Sequence, residues 1–270
     1  MASEGKQISV AATAIALRGV RLFLSAGKTA AERSLPAAAQ PAPRVKRKPK
    51  QPVVGNKLSP KVIEQLLKTT KFNKPELEAL YSMYRRLVSS AQAAAPATAI
   101  GHSPKIDGID QSTFRDVMHN TFDLVTEEAI LERMWITWER GAAGGEGSLR
   151  FESWVRGLSV LLRGNMEERR MYCFKVYDLN NDGFITRDEM FSLLRNALLK
   201  QPGDEDPDEG VRDLVELVLR KLDVDKDGVV SIDDYRQAVE QEPLLLEAFG
   251  QCLPSKRHAL TFLKTLTNKT

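Results

Sequence analysis

Two twelve-residue stretches space oxygen-bearing side chains around a glycine and close on an acid: DLNNDGFITRDE (residues 178–189) and DVDKDGVVSIDD (residues 223–234). In the first, Asp178, Asn180 and Asp182 fill positions 1, 3 and 5, Gly183 sits at 6 and Glu189 ends the loop at 12. Side chains at the odd positions converge on one point. Phe184 at position 7 offers its carbonyl, and Thr186 at 9 is placed to hold a bridging water. Such a set suits a hard cation that takes six to eight oxygens at roughly 2.3–2.6 Å, and calcium fits it best. Gly183 permits the sharp reversal that a Cβ would resist.

This is the spacing of an EF-hand loop. The second loop repeats it with Asp223, Asp225 and Asp227, then Gly228, the Val229 carbonyl and Ser231. It departs at position 12, where Asp234 stands in place of Glu. Aspartate is one methylene shorter, so weaker calcium binding, or Mg2+ in six-fold coordination, is expected there. Ile185 and Val230, both at position 8, are predicted to pair as a short two-stranded bridge between the loops. The flanks carry helical stripes: Met171, Phe174 and Tyr177 before the first loop, and Met190, Phe191, Leu194 and Leu198 after it. Val215, Leu219 and Leu222 precede the second loop, and Tyr235 and Val239 follow it. Between the hands, QPGDEDPDEG (residues 201–210) reads as a linker that cannot continue a helix.

EF-hands pair, so two more are expected upstream. Residues 134–162 read as helix, loop, helix around AAGGEGSLRFES, with Gly147 and Leu149 at positions 6 and 8. Ala142, Gly144 and Ser153 stand where ligands belong, leaving only Glu146, so this loop is expected to be metal-free. Residues 72–88 and 111–121 look like the helices of a further hand whose connecting segment is too long and lacks ligands. The helix SWVRGLSVLLRG, with Trp154, Leu158, Leu161 and Leu162, is expected to pack between lobes. The fold class that follows is all-α: a two-lobe EF-hand fold with four hands, two of them degenerate.

Beyond generic loop spacing, three runs carry a closer resemblance. They are WVRGLSVLLRGNMEERRMYCFKVYDLNNDGFITRDEMFSLLRNALLKQP, DEDPDEGVRDLVELVLRKLDVDKDG and LLLEAFGQCLP. Together they resemble the calaxin family, calcium sensors of motile cilia related to the neuronal calcium sensors, over about residues 60 to 255. The resemblance implies a two-lobe helical protein at the axonemal outer dynein arm, bound to a dynein heavy chain or to docking-complex coiled coils, and regulating ciliary or flagellar motility with calcium. The ligand set carries over at Asp178, Asn180, Asp182, Glu189, Asp223, Asp225, Asp227 and Asp234. The second hand departs, because in that family it looks able to bind and here its ligands are missing. This fits a divergent member or a paralogue. The chain opens MASEGK, with Ala2 where N-myristoylation needs glycine, so no myristoyl switch is expected.

Charge divides the chain. Residues 1–60 hold eleven Lys/Arg and two acids, net +9, while residues 61–270 hold 28 and 34, net −6, which gives the overall +3. Residues 1–56, rich in Ala and Pro, are expected to be disordered. Their basic cluster of Arg44, Lys46, Arg47, Lys48 and Lys50 admits three readings: a solvated tail, a nuclear-import signal, or docking on an acidic polymer such as the tubulin tails. Residues 7–25 have the makings of a basic amphipathic helix, but Glu4 and Glu32 flank it and argue against a transit peptide. No apolar run reaches the roughly 18–20 residues of a membrane span, and a place in the cytoplasm and axoneme is expected, with no nucleic-acid partner.

Length and 42% hydrophobic content allow two modest cores. A basic extension (1–56), a degenerate lobe (57–163), a metal lobe (164–254) and a C-terminal helix or tail (255–270) are the expected divisions. Cys173 and Cys252 read as thiols rather than a disulfide, with Cys173 buried. His102, His119 and His258 have no zinc spacing, and GAAGGEG lacks the GK[ST] ending of a phosphate loop, so no enzyme is expected. Two classes of function stay open: a calcium-switched regulator, or a constitutive clamp on a helix. A calcineurin-B-like regulatory subunit is a more distant alternative. Terminal helices over Glu242–Phe249 and His258–Leu266 are candidates to lie in the helix-binding groove when no partner fills it, with Leu244, Leu245, Leu246, Phe249 and Leu253 either plugging it or completing the core.

Overall fold

The computed structural model describes residues 58–94, 108–124, 126–139, 147–196 and 208–267. The basic extension with its 44–50 cluster, the 7–25 segment, His102, the ligand positions 142, 144 and 146, Leu198 and the linker residues 201–207 lie outside the described residues. Among the described residues the chain is helical, apart from one two-stranded sheet and one isolated bridge.

Helix α1 (Pro60–Thr69) leads into α2 (Lys74–Ala94), α3 (Gln111–Phe122), α4 (Glu128–Glu139) and α5 (Phe151–Arg163). Proline at the first turn of α1 suits a position whose N–H has no helical partner. The two upstream hands pair although their loops lack ligands. Ile109 N–H donates to Leu149 O at 3.0 Å and Leu149 N–H returns the bond at 2.7 Å. Tyr84 Oη adds a bond to Leu149 O at 3.1 Å, and a Cβ on Gly108 would sit 2.7 Å from that same oxygen. Ile109 therefore holds the position-8 register of the first hand, which its long preceding segment hides in the sequence. Aromatic rings fill the space between. Phe114 meets Trp135 and Trp138 edge-on at 5.4 and 5.2 Å, and Trp154 tilts against Trp138 at 5.6 Å.

Gly157 lies against the indole of Trp138, and any Cβ there would overlap the ring. Gly157→Ala is expected to lower stability by about 1–3 kcal/mol through overpacking, read as a drop in melting temperature with calcium binding retained.

Arg115 pairs with Glu128 between α3 and α4, and a more buried ion pair ties α5 to the start of α2. Arg163 reaches Glu76 with two N–H groups at 2.8 and 2.5 Å, and donates to Lys71 O at 2.6 Å. Glu76 is 3% exposed, and the Arg163 hydrogen bonds hold its carboxyl below the usual range against the opposing effect of burial. A carboxyl depressed in the folded state contributes stability above its unfolded value, near 4.3, and loses that contribution as the pH falls through its folded value. Glu76→Gln is accordingly expected to melt below wild type at pH 7, with the gap closing below about pH 4.

Helix α6 (Met166–Tyr177) opens on a capping box: Asn165 Oδ1 accepts from Glu168 N–H, and Glu168 accepts from Asn165 N–H. After the first loop come strand β1 (Phe184–Ile185) and α7 (Arg187–Leu194). Then follow α8 (Glu209–Leu222), β2 (Val230–Ser231) and α9 (Ile232–Gln241). Ile185 pairs with Val230 in an antiparallel ladder, the register their shared loop position predicts. Glu209 and Gly210 belong to α8 rather than to the linker, since the helix absorbs the last two residues of that polar run.

The stripe Met171, Phe174, Tyr177 understates how deeply α6 is buried. Tyr172, Cys173 and Val176 are buried as well, because α4, α5, α7 and α9 surround the helix on more than one side. The 3-10 turn Pro243–Glu247 and the residues after it complete the core of this half, which is continuous with that of the first. Leu245, Phe249 and Leu253 are buried, Tyr177 Oη donates to Gly250 O at 2.6 Å, and Tyr235 Oη donates to Leu246 O at 2.6 Å. Leu244 is 42% exposed and belongs to neither role. Helix α10 (Lys256–Thr267) instead crosses to the first half and packs on α2, α3 and α5 through Ala259, Phe262 and Leu266.

Candidate metal centre

Each loop begins where its entering helix stops. Asp178 caps α6 and Asp223 caps α8, both in extended conformation. The turn is then made twice with left-handed residues. Asn181 and Gly183 have φ of 60° and 93°, and Lys226 and Gly228 have 65° and 94° at the same loop positions. A Cβ at Gly183 would meet nothing within 4 Å, so glycine serves the backbone angle there rather than a tight space. Asn at position 4 is a residue that tolerates this conformation, whereas Lys226 gives no such sign in the sequence.

In the first loop backbone N–H groups orient the side chains at positions 1, 3 and 5. Asp178 Oδ2 accepts from Gly183 N–H at 3.0 Å, Asn180 Oδ1 from Asp182 N–H at 2.8 Å, and Asp182 Oδ1 from Phe184 N–H at 2.9 Å. Glu189 joins the two ends. One oxygen accepts from Leu179 and Asn180 N–H at 2.8 and 3.1 Å, the other from Thr186 N–H and Oγ1 at 2.8 and 2.9 Å. Thr186 is thus the N-cap of α7 in a capping box with Glu189, and the second lone pair of its hydroxyl stays available to a bridging water.

Asp178 Oδ1 is buried and makes no hydrogen bond of good geometry. Burial pushes the Asp178 carboxyl upward, the N–H groups of Gly183 and Asn181 pull against it, and the neighbouring Glu189 and Asp182 charges add to the rise. A buried, unpartnered carboxylate oxygen among like charges is costly unless a cation completes it. The donor set is all oxygen, which suits calcium or magnesium and not a metal that prefers nitrogen or sulfur.

The second loop follows the same plan. Asp223 Oδ2 accepts from Gly228 N–H at 3.0 Å and Asp227 Oδ1 from Val229 N–H at 2.9 Å. Carboxylate oxygens of Asp223, Asp225 and Asp227 lie within 4.8 Å of one another. The Asp225 carboxyl is held down by Asp227 N–H, but desolvation and the surrounding charges of Asp227, Asp234 and Asp223 outweigh this and raise it. Asp234 accepts from Ser231 N–H and Oγ at 3.0 and 2.5 Å, and these bonds outweigh its burial and lower its carboxyl.

The missing methylene is visible in the reach of the closing acid. Glu189 Oε1 lies 2.8 Å from Leu179 N, whereas Asp234 Oδ1 lies 3.3 Å from Val224 N at the matching place. Asp234→Glu is expected to tighten calcium binding at the second loop by about tenfold, ~1.4 kcal/mol, in a two-site calorimetric fit.

The ligand list from sequence omits one neighbour. Arg133, on α4 and 8% exposed, points its Nη2 at Asp178 O (2.5 Å), Lys175 O (3.3 Å) and Asn181 Oδ1 (3.3 Å). It comes from 45 residues upstream, in the half without ligands, and no local pattern marks it.

Comparison with known proteins agrees with this geometry. Residues 167–240 match the family model of an EF-hand domain pair, and an EF-hand pair is a calcium-binding unit. The chain is 46% identical to calaxin of Xenopus laevis over 71% of its own length and 86% of that protein. It is 42% identical to calaxin of Homo sapiens and 43% to that of Bos taurus, in each case over 75% of this chain and 90% of the relative. With its paired loops and this shared sequence along both halves, the chain belongs to the calaxin family of EF-hand proteins.

Proposed function

We propose that this protein is a calcium-responsive subunit of the axonemal outer dynein arm or its docking complex, regulating ciliary or flagellar motility by holding a helix of a partner. The observation that carries the calcium part is the buried Asp178 oxygen, which makes no hydrogen bond of good geometry at position 1 of a loop with EF-hand spacing. Asp178, Asn180, Asp182, the Phe184 carbonyl and Glu189 are the proposed ligands of the tighter site. Asp223, Asp225, Asp227, the Val229 carbonyl and Asp234 are those of the weaker one, where magnesium competes. A divalent ion supplies positive charge that draws the closing acid, and with it the exiting helix, toward the entering helix. Here α7 would carry that movement, because Glu189 is both ligand and third residue of the helix.

The ciliary placement rests on membership of the calaxin family. Its test is sedimentation of the purified chain with axonemes stripped of outer arms and docking complex, at low and at micromolar calcium. Saturable binding that changes with calcium, and stops changing in Glu189→Gln, supports a switched regulator. Binding indifferent to calcium supports the constitutive clamp, a reading favoured by the upstream loop that carries Ala142, Gly144 and Ser153 where ligands belong. No binding at all removes the axonemal assignment.

A further inference from the structure

The contact between Arg133 and the first loop joins two parts of the molecule that differ in chemistry. One half has no ligand set among its described residues, and the other carries both loops. Their meeting is built on α4 and α6, which pack along each other. Lys71 with Glu168 and Asn196 with Glu127 join the halves elsewhere, and two polar links are made between α4 and the end of α6. At one end Trp138 Nε1 donates to Tyr172 Oη at 3.2 Å, both groups buried. At the other, the Arg133 guanidinium caps the C-terminal carbonyls of α6, where orphan acceptors and the negative end of the helix dipole favour a cation.

Those acceptors are not ordinary cap positions. Asp178 supplies both the carbonyl that Arg133 holds and the first ligand carboxylate of the loop, and Asn181 is the left-handed residue that shapes the turn. Any change in Asp178 and Asn181 on filling the loop must keep or break bonds to a side chain anchored in the other half. Beside them an open cavity of about 630 Å³, lined by Thr137, Met171, Phe174, Lys175 and Ile232 among others, leaves room for α4 and the loop to readjust.

We propose that Arg133 is a positioning residue through which cation binding at the first loop is felt by the ligand-poor lobe, with α4 as the coupling element. This rests on the first loop binding calcium, and the experiment separates the two. The sequence supplies a convenient reporter. All three of its tryptophans, at 135, 138 and 154, lie in the ligand-poor half, and two of them follow Arg133 on α4. The full chain is titrated with calcium, once by calorimetry and once by tryptophan emission, beside Arg133→Met, Arg133→Lys and Glu189→Gln.

The expected result is a wild-type emission change that tracks the first-site heat and vanishes in Glu189→Gln. Arg133→Met keeps the heat but loses the emission change, and Arg133→Lys, which retains the charge and can reach one carbonyl, restores part of it. Because coupling is reciprocal, the first-site dissociation constant in Arg133→Met also moves, within the roughly 5–150-fold typical of coupled sites, while the second site does not. A flat wild-type emission in the presence of binding heat overturns the coupling. So does an emission change in Arg133→Met equal to wild type. Absence of the heat itself would remove the calcium reading of the loop, and the coupling with it. Should Arg133→Met fail to fold by circular dichroism, the wild-type and Arg133→Lys titrations decide the matter, with an undiminished Arg133→Lys response counting against the role.

Discussion

Glu189→Gln is expected to weaken calcium binding at the first loop by about a hundredfold, ~2.8 kcal/mol, while leaving the second loop and the helical content in place. The closing acid of an EF-hand engages the ion with both oxygens. In this protein the two oxygens of Glu189 are already spread between the loop's beginning, at Leu179 and Asn180, and its end, at Thr186. An amide keeps one oxygen and turns the other into an N–H donor. That donor faces backbone N–H groups on one side, so the variant loses one ligand atom and one of the two bridges that close the loop. The start of α7 survives, because Thr186 Oγ1 still accepts from the N–H of residue 189, at 3.4 Å in wild type. Calorimetry in about 1 mM magnesium is the check. Wild type is expected to bind in the sensor range of ~10⁻⁷–10⁻⁵ M, and equal affinity in the two proteins would reject the ligand assignment.

The two loops were legible because cation coordination imposes residue type, spacing and backbone angle together over twelve residues. Asp178 through Glu189 meet all three demands, and the pairing of Ile185 with Val230 follows from loop position alone. The ligand-poor half was harder to read for the same reason inverted. Once the ligands are gone, only the hydrophobic requirements persist, and Ile109 opposite Leu149 keeps the pairing without any polar signature. Contacts between distant segments left no local trace at all. Arg133 reads as an ordinary helical arginine until α4 lies against α6, and Tyr172 and Cys173 fall off the apolar stripe until α6 is enclosed on several sides. The leucine-rich stretch 244–253 carried two readings in sequence. Leu245, Phe249 and Leu253 complete the core while Leu244 faces solvent, and it is the helix that follows that lies on the first half.

That helix carries the last large expected effect. Phe262→Ala is expected to destabilise the ligand-poor lobe by about 3 kcal/mol, the lower end of the range for truncating a buried phenylalanine. Phe262 is 8% exposed and tilts against Phe122 with ring centroids 5.1 Å apart, so its removal opens a cavity at the edge of the core rather than at its centre. For a protein of this size the loss corresponds to a melting temperature lower by roughly 6–12 °C in the transition of that lobe. Ala259 and Leu266 continue the same face one turn to either side, and the helix packs mainly on α2, α3 and α5. First-site calcium heat of wild-type size, measured below the lowered transition, would assign the damage to the first half alone. The proposed function implies a surface for an amphipathic partner helix, and the emptied edge is a candidate for it. Stronger binding of Phe262→Ala than wild type to stripped axonemes would then mean that α10 competes with the partner for this surface. Weaker binding would mean that the partner reads the lobe with α10 in place, as part of the docking face.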